Sequence, residues 1–205
     1  MYTNRFFILT SNSKSRKLIL RNAGLNFKTI KNTLNEDTLK KKFLKQKKKP
    51  KTISLELAKN KAKKIEVKNK IIIGSDTVIE LNGKIVEKAK NTKEAKAKIK
   101  KMSGKKHFIF SSAVAYYNKK IIWKNTSKTT VYIRKLNSKE IDKYLRESGK
   151  SILESVGCYQ IEKKGPTIIK KINGDFFNVM GFPLFPFLNF LKKFKIKKWT
   201  KKERV

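Results

Sequence analysis

Residues 71–81 read IIIGSDTVIEL, a run of apolar and largely β-branched side chains that ends at Asn82-Gly83 and resumes as Lys84, Ile85 and Val86. β-Branched residues are stiff at χ1 and pack well on a pleated surface, and Asn-Gly supplies the positive φ angles of a two-residue hairpin turn. A buried strand leading into a hairpin is therefore the feature around which the rest of the chain has to arrange itself. Asp76 interrupts this strand after Gly74 and Ser75. Burying a carboxylate there costs on the order of several kcal/mol unless it meets a cation, a metal or hydrogen-bond donors. Two readings follow: a turn aspartate bonding its own backbone, or an acid held in a site.

The flanking segments predict alternating elements. Residues 5–10 (RFFILT) read as a short strand and 17–23 as a short helix closed by Gly24, with a polar loop between them. Residues 31–51 hold few periodic apolar positions and many lysines, which predicts a mobile connection with one helical turn. Ser54 is the expected cap of a helix reaching about residue 65, with Leu55, Ala58, Ala62 and Ile65 on one face. Asn91 and Glu94 have capping-box spacing for a helix ending near Ser103-Gly104, and Asn137 and Glu140 frame another that ends near Ser148-Gly149. Residues 107–117 and 121–134 read as strands joined by a short turn. Two more are expected at 156–161 and 167–172 around Gly165-Pro166, and a terminal helix at 183–194. This order implies an α/β protein with a mixed, partly antiparallel sheet.

Composition narrows the function. The 205 residues suit one domain, and 39% hydrophobic residues exceed what a disordered chain carries despite 33% charged ones. The net charge of +38 invites a nucleic-acid reading through counterion release. Only six of the 53 basic residues are arginine, however, whereas sequence readers lean on arginine's bidentate fork. Lysine is spread along the whole chain, so weak and non-specific nucleic-acid contact is the most that composition supports. The dense runs at 40–51 and 192–202 are the places for it. Cys158 is the single cysteine and cannot form an internal disulfide, which fits a reducing, cytoplasmic setting. Residues 1–10 lack a signal-peptide core, and the longest apolar stretch, 182–191, contains two prolines and falls short of a membrane span.

Only 15 residues are acidic, which makes their placement informative. Glu36, Asp37, Asp76, Glu87, Glu162 and Asp175 stand beside loop or turn signals. Between the first strand and helix lies Ser11-Asn12-Ser13-Lys14-Ser15-Arg16, where hydroxyls, helix-terminal N–H groups and an arginine can cradle phosphate. Ser13 or Ser15 serves equally well as a plain helix cap.

Taken in order, these pieces resemble the Maf family of nucleotide pyrophosphatases. LTSNSKSR, residues 9–16, is similar to that family's Leu-Ala-Ser-x-Ser-Pro-Arg-Arg, with Lys14 in place of proline and Ser15 before the last arginine. Asn35-Glu36-Asp37-Thr38 resembles its acidic loop, and Leu57-Ala58-Lys59-Asn60-Lys61-Ala62 its Leu-Ala-x-x-Lys-Ala helix. Gly74 to Val78 is similar to the segment with the catalytic aspartate. Glu87-Lys88-Ala89-Lys90 resembles a Lys-Pro segment with Ala89 for proline, and Met102-Ser103-Gly104 with His107 a Leu-Ser-Gly-x-x-His run. Val156 to Glu162, Asn173-Gly174-Asp175 and Gly181-Phe182-Pro183-Leu184 complete the series.

The resemblance implies a single domain over residues 1–191 followed by a basic tail at 192–205, with a bent sheet and two lobes around a cleft. It implies hydrolysis of a nucleoside triphosphate to the monophosphate and pyrophosphate with a divalent cation, Mg2+, Mn2+ or Co2+. Asp76 would be the general base and a metal contact, with Glu36 a second acid near the metal. Ser11, Ser13, Arg16, Lys61 and Lys88 would hold the phosphates. Base preference would follow Ser15, Thr77 and Glu162, and these are mixed: Thr77 resembles the dTTP- and UTP-cleaving subgroup, Glu162 the 7-methyl-GTP-cleaving one, and Ser15 neither. His107 and Cys158 are expected to be structural, and a homodimer is the family's implication for assembly. The rival class is a basic nucleic-acid-binding or cell-division-linked interaction protein that has kept the fold and lost the chemistry. The intact Asp76 and Lys88 argue against it.

Overall fold

The computed structural model describes residues 7–194. Along the chain run β1 (Phe7–Thr10), α1 (Lys14–Asn22), β2 (Phe27–Thr29), α2 (Glu36–Lys45), α3 (Pro50–Lys63), β3 (Ile71–Leu81), β4 (Lys84–Val86), α4 (Thr92–Met102), β5 (Lys106–Tyr117), β6 (Lys120–Ile133), α5 (Ser138–Ser148), β7 (Ile169–Asn173), α6 (Phe176–Met180) and α7 (Leu184–Lys193). The strands form one mixed sheet in the order β2-β1-β3-β5-β6-β7, with β4 also on β3. β1 is parallel to β2 and β3, and the other pairings are antiparallel. The α/β expectation with a partly antiparallel sheet is met.

The predicted hairpin is present: Asn82 and Gly83 take φ of 49° and 76° between β3 and β4. Alternation along β3 then sorts the molecule into two sides. Ile72, Gly74, Asp76 and Val78 face α3, where Ala58, Ala62, Ile53 and Leu57 cover them. Ile71 and Ile73 turn to the opposite side and join β1, α1 and α7 around Phe182 and Phe187, and Ile79 joins the core beneath α4 and α5. Each fully buried Ile, Leu or Phe contributes about 1.5–3 kcal/mol through area removed from water.

The way neighbours share one edge of β3 creates the site. β1 pairs with Ile71 to Gly74 and β4 with Ile79 to Leu81, so among the described residues no strand pairs with 75–78 on that edge. A gap opens beside Asp76, and the chain leaving β1 arches over it into α1.

Several sequence expectations need correction. Residues 31–51 are not a mobile connection: they contain α2 and the first residues of α3. Asn35 caps α2 by accepting from Thr38 N at 3.1 Å, and Glu36 and Asp37 occupy the first turn. Its single deeply buried side chain, Phe43, packs on Ile53, Leu57 and Val78 with Leu39 one turn earlier, so the tertiary contact of two apolar positions holds the helix. Helix α3 starts with Pro50 in its first turn rather than at Ser54. Ser54 is internal and buried, with its hydroxyl 2.7 Å from that of Ser112 on β5. Helix α1 begins at Lys14, so the expected polar loop is shorter and Ser15 and Arg16 are helical. Residues 156–161 are not a strand. After a 3₁₀ stretch, Gly149–Glu154, they form an irregular loop with Cys158 at φ 55°, which turns Cys158, Tyr159 and Ile161 inward where a strand would have alternated.

The strand expected at 5–10 begins, among the described residues, at Phe7; Arg5 and Phe6 lie outside them. So does most of the expected basic tail, although Lys192 and Lys193 close α7. No helix among the described residues is long and apolar enough to cross a membrane.

Candidate active site

The gap beside β3 opens into a cleft of about 980 Å³. All ten site residues expected from the sequence line it: Ser11, Ser13, Ser15, Arg16, Glu36, Lys61, Asp76, Thr77, Lys88 and Glu162.

At its centre Lys61 reaches from α3 to Asp76 on β3. The Lys61 Nζ stands 2.8 Å from Asp76 Oδ1 and 2.9 Å from Glu36 Oε2 at the start of α2. Asp76 and Lys61 are each only 5% exposed, so the turn reading of Asp76 is set aside: it is a buried strand carboxylate held by an ammonium. Such a pair recovers its desolvation cost only when both partners stay in place. Glu36 sits at the cleft edge with its side chain 45% exposed. Burial pushes its carboxyl up, but Lys61, Arg16 and Lys88 together hold it below the ordinary value, so Glu36 carries negative charge at neutral pH.

On the other side of β3, Arg16 is buried against the cleft floor. Its Nε donates to the Gly181 carbonyl (2.8 Å), its Nη1 to Ser11 Oγ (3.2 Å) and its Nη2 to Thr77 Oγ1 (2.9 Å). Burial lowers its pKa from the ordinary arginine value, opposed by the charges of Asp76 and Glu36. A guanidinium has five donors, so one on each terminal nitrogen is left for a ligand. Thr77 also donates to the Gly181 carbonyl (3.2 Å) and lies 3.0 Å from Ser111 Oγ. Asn178 locks the segment before Gly181 by accepting from Ser111 N at 3.2 Å and donating to Thr129 Oγ1 at 2.8 Å.

The phosphate-cradle segment resolves into two roles. Ser13 is the N-cap of α1, accepting from Arg16 N at 3.3 Å. Ser11 Oγ accepts from Ser13 N at 3.2 Å. The amides of Lys14 and Ser15 then have no acceptor within the helix, as first-turn amides do not, and the cleft lies before them. Ser15 is not the cap: its hydroxyl donates to Glu162 Oε1 at 2.6 Å. Lys14 meets Glu154 at 2.8 Å, so the first turn of α1 touches the 154–162 loop twice. Lys88 is exposed where it lines the cleft, next to Glu87, whose side chain is held by Lys40 at 2.9 Å. Of the other acids noted from the sequence, Asp175 caps α6 by accepting from Phe177 N at 2.6 Å.

Sequence reasoning does not single out Gly181 as the acceptor for Arg16, or Lys14, Lys40 and Glu154 as partners across the cleft. The Gly181 signal is available as a glycine closing a short helix, and it takes φ 106°. The lysines carry no local signal. His107 and Cys158 are structural as expected: both are buried, and His107 lies 2.6 Å from the Tyr159 hydroxyl with its pKa lowered to about 4 by burial.

The description "Maf-like protein" belongs to the family model that matches residues 6–194. The chain belongs to the Maf family. Among curated relatives, a nucleoside triphosphate pyrophosphatase of Caulobacter vibrioides is 33% identical over 90% of this chain and 93% of its own length. A 7-methyl-GTP pyrophosphatase of Bartonella henselae is 36% identical over 92% of this chain and 96% of its own. A nucleoside triphosphate pyrophosphatase of Pelagibacter ubique is 35% identical over 92% and 97%. The Maf match, residues 6–194, spans every residue that lines the cleft.

Proposed function

We propose that this cleft is where the chain, a nucleoside triphosphate pyrophosphatase by family, splits its substrate between the α and β phosphates to leave the monophosphate and pyrophosphate. The observation that carries the reading is the buried Lys61 held between Asp76 and Glu36 beside the α1 N-terminus. Such hydrolysis needs neutralised phosphate charge, a positioned water and a group to take its proton. The Ser11 and Ser13 turn, the first amides of α1, Arg16, Lys61 and Lys88 are the phosphate-binding groups in this reading. Arriving phosphates compete for Lys61 and free Asp76 Oδ1 to take a proton from water. The substrate itself therefore assembles the base.

Asp76 and Glu36 are also a donor set for Mg2+, Mn2+ or Co2+. No group of three or more acidic, His or Cys residues suited to a metal occurs among the described residues. Magnesium is commonly held by one or two carboxylates together with substrate phosphates and water, so two carboxylates facing a phosphate cleft fit it. When bound, the ion would supply further charge neutralisation at the phosphates. The single buried cysteine agrees with a cytoplasmic enzyme, and a homodimer is the assembly we propose with it.

The cleavage position has a direct test: product analysis in ¹⁸O-labelled water. Pyrophosphate with a nucleoside monophosphate is the expected result, and orthophosphate with a diphosphate would overturn the reading. The rival nucleic-acid function predicts a tight, sequence-selective complex near physiological salt, whereas scattered lysines predict weak binding that falls steeply as salt rises.

Glu162 is the proposed base-reading residue. Ser15 satisfies one of its oxygens, and an ionised carboxylate offers only acceptors, so it favours bases that present donors. Glu162→Gln is expected to change the ratio of kcat/KM between guanine or 7-methylguanine and uracil or thymine triphosphates by about tenfold or more. Equal loss on all four would assign Glu162 to phosphate or metal instead.

A further inference from the structure

The 154–162 loop and the Glu87-Lys88 segment both line the cleft without belonging to one element, so something must fix their spacing. Helix α4 packs behind both through Ala95, Ile99 and Met102. Lys98, one residue before Ile99, stands half-buried beside that apolar face. Its ammonium donates to the carbonyl of Glu87 and, at 3.3 Å, to that of Val156. Cys158 and Ala89, from the same two segments, pack with Ile99 in one apolar core.

A lysine ammonium has three donors, and here two are spent on main-chain carbonyls, one in each segment. Glu87 precedes Lys88 directly, and Val156 and Cys158 begin the loop that carries Glu162.

We propose that Lys98 is a positioning residue for the reaction, tying the wall that carries Lys88 to the wall that carries Glu162. This rests on the reading of Lys88 and Glu162 as substrate-binding residues. Lys98 is not among the residues that line the cleft, and it acts through the two segments. Without it, both walls have to be ordered by the substrate at the moment of binding, and that cost falls on affinity. The Asp76-Lys61-Glu36 centre is built on β3, α3 and α2 and does not depend on it.

The test compares Lys98→Met, which keeps the apolar stem and loses the donors, with Lys98→Arg and Lys88→Met, and uses Leu191→Ala in the α1–α7 core as a stability control. Lys98→Met is expected to raise KM about tenfold with kcat within about threefold, and to weaken competitive inhibition by inorganic tripolyphosphate by a similar factor. Lys98→Arg is expected to recover most of the affinity. If Lys98→Met leaves KM unchanged while Lys88→Met raises it, positioning by Lys98 is overturned and the site reading stands. If neither variant changes KM, both fall. If Leu191→Ala, at a comparable melting temperature, raises KM as much as Lys98→Met does, the effect is one of stability and the proposal is overturned.

Discussion

Asp76→Asn is expected to lower turnover by about 10²–10⁴, the usual consequence of losing a general base. The substitution is close to isosteric, and the amide oxygen can still accept from Lys61, whose ammonium keeps Glu36 at 2.9 Å. The fold should therefore persist, and the loss should appear in chemistry. Steady-state phosphate release, with pyrophosphatase added to convert the product, measures it beside circular dichroism of the same preparation. A folded variant retaining more than about a tenth of the activity would remove Asp76 from the role of base.

Gly74→Ala is expected to have the largest effect on stability. Gly74 lies on β3 where α3 crosses it, and a Cβ there would stand 2.1 Å from the Ala58 carbonyl oxygen and 2.7 Å from the Ala62 nitrogen. Both are helix backbone atoms, so no side chain can rotate away and α3 itself must shift. Overpacking a core typically costs 1–3 kcal/mol, and a clash with backbone belongs at or beyond the upper end, about 3 kcal/mol or more. For a domain of this size that is a fall in Tm of roughly 10 °C. Activity should fall too, because Lys61 rides on the displaced helix and its ammonium holds Asp76 at 2.8 Å. Thermal unfolding checks the stability effect, and a Tm within about 2 °C of the parent would mean that α3 can yield without cost.

How much of this is legible in the sequence depends on the range of each signal. The β3 to β4 hairpin, the caps at Asn91 and Asn137, and the strands β5 and β6 rest on interactions within a few residues, and all are readable. Helix α2 escapes such reading because only Leu39 and Phe43 mark its buried face, a pattern of two positions among many lysines, even though its Asn35 cap is local. The false strand at 156–161 shows the converse error. Apolar residues spaced along that segment mimic a β pattern, while Cys158 in the left-handed region turns the chain so that Val156, Cys158 and Tyr159 reach one core.

The type of fold, its principal strand and turn, the family resemblance and the ten residues that line the cleft all follow from the chain read as a string. They do so because those signals are local patterns of side-chain type, turn chemistry and motif order. Which partners those residues take is settled in three dimensions: Lys61 with Asp76 and Glu36, Arg16 with the Gly181 carbonyl, Ser15 with Glu162, and Lys98 with both walls of the cleft. Motif order singles out Lys61 and Lys88, but nothing local marks Lys98 among the 53 basic residues of the chain. Strand register and the close approach of α3 at Gly74 set which ammonium loses its water, and a desolvated ammonium is stable only where carboxylates or carbonyls replace that water.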